Sequence, residues 1–123
     1  MTDFSALNSA AASSWVDSYL DVIGGQAETP SSDALARLMR QQITTIRFEN
    51  LTSILRRSAH RDEAVPAPDP DDMLDAWRQR AGGGVCYELS AMFERLLRAL
   101  GYRSRLVPGQ IIIPGGPQAI VIR

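Results

Sequence analysis

The sequence predicts an α+β chain, an N-terminal helical bundle with a Cys-bearing helix, followed by the first two strands of a β-domain. Apolar residues recur at helical spacing in several runs up to Leu100, and Gly101 stops the last of them. Beyond that glycine the character changes. Arg103-Ser104-Arg105-Leu106-Val107, Gln110-Ile111-Ile112-Ile113 and Gln118–Arg123 are β-prone, and Pro114-Gly115-Gly116-Pro117 reads as a turn between the last two. With 123 residues the chain suffices for one small domain with a real core.

Composition excludes several classes. The 13 basic and 14 acidic residues nearly cancel, so no nucleic acid and no membrane surface is expected as a partner. Every basic residue is Arg, which together with the many alanines reads as a coding bias rather than a function. A single Cys leaves no intrachain disulfide framework and no Cys-rich zinc site. Met1 to Ser14 carries Asp3, no basic residue and no continuous apolar run, unlike a signal peptide. No segment approaches transmembrane length, and a cytoplasmic location is expected.

Residues 1–12 are small and polar and read as a flexible arm. Ser13 or Ser14 can cap a first helix with apolar positions Trp15, Val16, Tyr19, Leu20 and Ile23, ended by Gly24-Gly25. Thr29-Pro30 or Ser31 starts a second, with Leu35, Leu38, Met39, Ile43 and Ile46 on its buried side. Phe48-Glu49-Asn50-Leu51 then sets a buried aromatic beside two groups able to bond backbone N–H groups, a local turn or cap. Residues 56–70 read as a polar, Pro-rich loop. Asp69-Pro70 opens another helix, with Asp71 and Asp72 in its first turn and Met73, Leu74 and Trp77 buried. The expected organisation is an arm over 1–12, a helical domain over 13–101 and the start of a β-domain over 102–123, which reads as truncated.

Function gathers at Gly82-Gly83-Gly84-Val85-Cys86-Tyr87-Glu88-Leu89. A glycine loop runs straight into an amphipathic helix whose stripe is Val85, Leu89, Met92, Phe93, Leu96, Leu97 and Leu100, with Glu94, Arg95 and Arg98 off it. A thiol in the first turn feels the positive end of the helix dipole, and nearby backbone N–H groups can stabilise a thiolate. Glycines before it permit close approach of another backbone or a substrate. The same pattern also fits a small apolar residue buried at a helix start. Local residues leave both readings open.

Two patches together widen the view. The order Tyr19-Leu20, Ile23-Gly24, a helix, Ile46-Arg47-Phe48-Glu49-Asn50-Leu51, a loop, Gly83-Gly84-Val85-Cys86-Tyr87-Glu88-Leu89, a helix and Leu100-Gly101-Tyr102 resembles the N-terminal part of the arylamine N-acetyltransferases, from Trp15 onward. That resemblance implies a helical first domain, a β-barrel second domain and an α/β lid, with a papain-like or transglutaminase-like cysteine core that is incomplete here. It implies ping-pong transfer of acetyl from acetyl-CoA, a co-substrate, to the nitrogen of an arylamine or hydrazine, with no metal. Cys86 is the implied nucleophile, and Glu49, Asn50, Gly83, Gly84 and Glu88 the implied supports of the site. Such a thiol normally needs an adjacent His oriented by a carboxylate.

Here the sequence departs from the family. Gln118–Arg123 matches the strand that bears the family's His and contains none. Gly82 stands where the family prefers Arg, Ser90 where it prefers Asn, Arg47 where it prefers Pro, and Gln42 where a His is common. His60, the sole histidine, lies among charges and prolines and reads as a solvated imidazole rather than a base or a metal ligand. Activity of this chain is therefore expected to be impaired. Two further readings remain: a non-catalytic helical binding or assembly module, or half of a split enzyme. The partners that follow are self-association or a complementing C-terminal chain. A related amide synthase is a third reading that keeps the cysteine.

Overall fold

The computed structural model describes residues 4–59, 64, 67–79, 82–112 and 119–122, with side chains described from Ser14 to Gln110 within those ranges. Five helices precede two strands among them: α1 (Phe4–Ile23), α2 (Ser32–Thr45), α3 (Leu51–Ser58), α4 (Pro70–Gln79), α5 (Cys86–Ala99), β1 (Gly109–Ile112) and β2 (Ala119–Ile122). The order is helices first and strands last, as an α+β chain requires.

Helix α1 is the spine. It packs on α2, α4 and α5 and buries Val16, Tyr19, Leu20 and Ile23 at i, i+3, i+4 and i+7. Against it lie Leu38 and Ile46 from the α2 side, Met73, Leu74 and Trp77 of α4, and Met92 and Leu96 of α5. Met92 and Leu96 are fully buried, and each contributes on the order of 2 kcal/mol of transfer free energy. The Tyr19 ring meets Trp77 edge to face, with centroids 5.2 Å apart and planes at 89°. Its hydroxyl donates to Gln42 Oε1 at 2.8 Å, so this buried polar tip is partnered.

Caps explain most helix boundaries. Ser31 Oγ accepts the N–H of Ala34 at 3.0 Å and opens α2. Asp69 accepts the N–H of Asp72 through its side chain and that of Met73 through its carbonyl, which starts α4 with Pro70 at its first position. At the end of α5, Gly101 has φ +100°, Tyr102 N–H donates to Leu97 O at 3.0 Å and Gly101 N–H to Arg98 O at 3.2 Å. This is the Schellman arrangement, and it is why the stripe stops there.

Several expectations are corrected. Helix α1 begins at Phe4, not after Ser13 or Ser14, within the stretch read as an arm; its alanine content favours helix and no stop signal interrupts it. Arg56 and Arg57 belong to α3 rather than to a loop that begins at residue 56. Phe48, expected to be buried, is 71% exposed, and Met39 and Ile43 are also exposed. The apolar stripe of α2 is wider than the face that α1 covers. Glu94, placed off the buried stripe of α5, is buried and held by Arg98 and the hydroxyl of Ser104.

Strands β1 and β2 pair antiparallel, with Gly109 opposite Ile122 and Ile112 opposite Ala119. Residues 103–107, β-prone by composition, join no helix or strand. The turn residues 114–117, His60, Gln118 and Arg123 lie outside the described residues.

Candidate active site

The glycine loop and the Phe48-Glu49 run, far apart in sequence, are zipped together. Phe48 and Gly84 form a parallel bridge, in which Gly84 N–H donates to Arg47 O and Glu49 N–H donates to Gly84 O, both at 3.1 Å. The contact is so close that a Cβ placed on Gly83 would lie 1.7 Å from Arg47 O. No side chain fits there. The indole N–H of Trp77 donates to Gly83 O at 3.2 Å, which ties the loop to the core.

Two carboxylates lock this arrangement. Glu49 accepts the Gly83 N–H at 2.8 Å, the Thr52 N–H at 3.1 Å and the Thr52 hydroxyl. Burial alone would push its carboxyl up. Hydrogen bonds from the Thr52 hydroxyl and from the N–H groups of Gly83, Thr52 and Leu51 together outweigh that and hold it below the usual range. Glu49 thus caps α3, while Asn50, at the N-cap position, makes no side-chain cap bond and offers its carbonyl to Ile54 N–H. Glu88, only 1% exposed, accepts the Val85 N–H at 3.1 Å and pairs with Arg56. Valine has no polar atom to offer in return, so α5 carries half of a capping box.

The result is a fixed start for α5, with Cys86 as its first residue. Cys86 is exposed, so the reading of it as a buried apolar residue does not hold. It opens on a hollow of about 390 Å³ lined by Cys86, Tyr87 and Ser90 on one side and by Leu106 to Gly109 on the other. The hollow is mostly apolar and large enough for a small acyl donor group or an aromatic ring.

A profile of the family described as N-acetyltransferase matches residues 31–121, most of the chain. The chain belongs to the arylamine N-acetyltransferase family. Over 85 residues it is 34% identical to the arylamine N-acetyltransferase of Escherichia coli, covering 69% of this chain and 28% of that one. Similarity to the Salmonella typhimurium arylamine N-acetyltransferase / N-hydroxyarylamine O-acetyltransferase is 36% over 84 residues, 68% of this chain and 27% of the relative. A proansamycin X synthase of Amycolatopsis mediterranei matches at 34% over 88 residues, 71% of this chain and 32% of that one. The chain therefore spans about a third or less of these family members. No solved structure gives a significant match.

Of the residues singled out in the sequence, the structure brings Glu49, Gly83, Gly84 and Glu88 into one knot beside Cys86, and leaves the Asn50 side chain out of the capping. Three contributors were missed. Arg56 was hidden by the prolines that follow it, Thr52 sits three residues after Glu49 where a cap bond forms, and Leu106 to Gly109 line the hollow without any motif. Among the described residues no group of three metal-ligating side chains forms, and no helix is long and apolar enough to cross a membrane.

Proposed function

We propose that this chain carries the nucleophile of an arylamine N-acetyltransferase, with Cys86 as the atom that bears the acetyl group. The Cys86 thiol gives its proton to a base, its sulfur attacks the acetyl carbonyl carbon of acetyl-CoA, the bond to the CoA sulfur breaks, and the leaving CoA sulfur takes up that proton. The amine nitrogen of an arylamine or hydrazine then attacks the Cys86 thioester, an N–C bond forms, and the Cys86 sulfur leaves. The proton lost from nitrogen passes to a base. A thioester is reactive enough for a weakly basic amine, which is the advantage of a sulfur carrier.

The observation that carries this reading is the position of Cys86: exposed, first in its helix, fixed by the Phe48–Gly84 bridge, and open to an apolar hollow. Glu49 and Glu88 hold the scaffold and take no proton from substrate. Gly83 serves by having no side chain, because Arg47 O leaves no room for one, and Gly84 sits more loosely, with Glu88 and Leu89 side chains 3.2–3.3 Å from where its Cβ would be. Asn50 acts through the backbone turn at the start of α3. The general base, a His oriented by a carboxylate, is supplied in this proposal by polypeptide equivalent to the part of the relatives that the chain does not span.

The test is intact mass after incubation with acetyl-CoA. The chain is expected to gain one acetyl group at Cys86 when co-expressed with the remaining region of the Escherichia coli relative, and far less without it. A Cys86→Ser variant is expected to gain none. Absence of the adduct in both conditions would remove the catalytic assignment. A proansamycin X synthase matches at 34% identity beside the acetyltransferases, and a second reading is kept in which the Cys86 thioester serves a synthase in place of an acetyltransferase. Acyl donors other than acetyl-CoA in the same mass assay separate the two.

A further inference from the structure

Helix α3 buries none of its residues, yet one of its faces grips the loop before Cys86 at two points. Thr52 and Arg56, one turn apart, form that face. Thr52 holds Glu49, which takes the Gly83 N–H, and Arg56 holds Glu88, which takes the Val85 N–H. The Arg56 side chain is 21% exposed and that of Glu88 1%, so little solvent screens this second pair.

Glu88 sets up a conflict. A carboxylate in the first turn of α5 suits the helix dipole, but so does a negative sulfur at Cys86, and both draw on the same positive end. The Glu88 oxygen lies 3.1 Å from Val85 N, and Cys86 is the next residue. The carboxylate is therefore within about 8 Å of Cys86 Cα. Across such a separation an unopposed charge would disfavour negative charge on the sulfur by about two- to fivefold.

We infer that Arg56 is a positioning residue for the reaction at Cys86: its guanidinium offsets the Glu88 carboxylate, so that Glu88 caps α5 without repelling the sulfur's negative charge. The chemistry needs that offset twice, because the sulfur is negative both as it attacks the acetyl carbon and as it leaves to the amine. The catalytic meaning rests on the assignment of Cys86 as the acyl carrier; the charge relation among the three residues does not.

Cys86 is the sole thiol, so alkylation of the full chain reads it alone. The measurement is the ratio of its rate constants with iodoacetate and with iodoacetamide, at pH about 8.5 and low salt. Access and loosening of the loop act on both reagents alike, whereas local charge acts on the anionic one. In Arg56→Met the ratio is expected to fall about two- to fivefold, and in Glu88→Gln to rise by a similar factor. Arg56→Met combined with Glu88→Gln should return to the ratio of the unaltered chain, and Arg56→Lys should keep it. Arg57→Met removes the same charge from the exposed residue beside Arg56 and should change the ratio less than about 1.5-fold. Arg56→Met and Glu88→Gln break the same pair, so opposite shifts cannot come from lost structure; should Arg56→Met not fold, the rise in Glu88→Gln decides. An unmoved ratio in Glu88→Gln, shifts of the same sign in both variants, or an equal effect of Arg57→Met would overturn the assignment. No acyl donor is present, so failure of Cys86 acetylation and failure of this role are read separately.

Discussion

At the scale of single residues, the site depends on contacts that allow almost no substitution. Gly83→Ala would set a methyl group inside the van der Waals envelope of Arg47 O and force the Phe48–Gly84 bridge apart. Urea unfolding is expected to show a loss of more than about 2 kcal/mol, from overpacking and broken hydrogen bonds together. Gly109→Ala, where a Cβ meets open space, is the matched control and should stay within about 0.5 kcal/mol. Glu49 makes a pH prediction. Its folded carboxyl is held below the unfolded value of about 4.3, so the stability it contributes is present above that value and is lost as pH falls through the lower folded one. Acid unfolding of Glu49→Gln should therefore be shallower below pH about 4.3 than that of the unaltered chain, with lower stability at neutral pH. Equal slopes would show that Glu49 holds the loop no better than a neutral amide. Glu88 is more deeply buried, and Arg56→Met would leave its charge without that partner; a loss of about 3 kcal/mol is expected, part of it regained in Arg56→Met with Glu88→Gln.

At the scale of elements, α5 and α3 are oppositely placed. Helix α5 buries Met92 and Leu96 completely and is anchored at both ends, by Glu88 and by the turn at Gly101. Its capping is incomplete, because Val85 offers no acceptor to the N–H of Glu88. Val85→Thr keeps the shape, supplies that acceptor and is expected to raise stability by about 0.5–1 kcal/mol in thermal unfolding. No gain would mean that the Glu88 half of the cap already fixes the helix. Helix α3 buries none of its residues, while Leu51, Ile54 and Leu55 stand exposed. What holds it is the Glu49 cap and the Arg56–Glu88 pair. The sequence left this helix unrecognised because a run of eight residues with no buried stripe resembles a loop next to prolines.

At the scale of the whole molecule, most of the helical order was legible and the site only partly so. Periodicity named most of the buried faces of α1 and α4, because α2, α4 and α5 together cover the apolar side of α1 and α1 in turn covers that of α4. It misjudged Met39, Ile43 and Phe48, since periodicity reports which side is apolar and says nothing of what covers it. The Phe48–Gly84 bridge could not be read from spacing at all. Backbone pairing between two irregular segments leaves no periodic trace, although the shared need for glycine at 83 and a carboxylate at 49 is its chemical signature. That bridge joins the two motifs into one site and brings Cys86 to the edge of its hollow. The most direct measurement follows an isotope-labelled acetyl group from acetyl-CoA through the chain, co-expressed with the remaining region of the Escherichia coli relative, onto an arylamine, with peptide mapping before and after the amine is added. The label is expected on the Cys86 peptide first and on the amine nitrogen afterwards. Label on any other residue, or label on Cys86 that the amine cannot remove, would contradict a role for Cys86 as the acyl carrier.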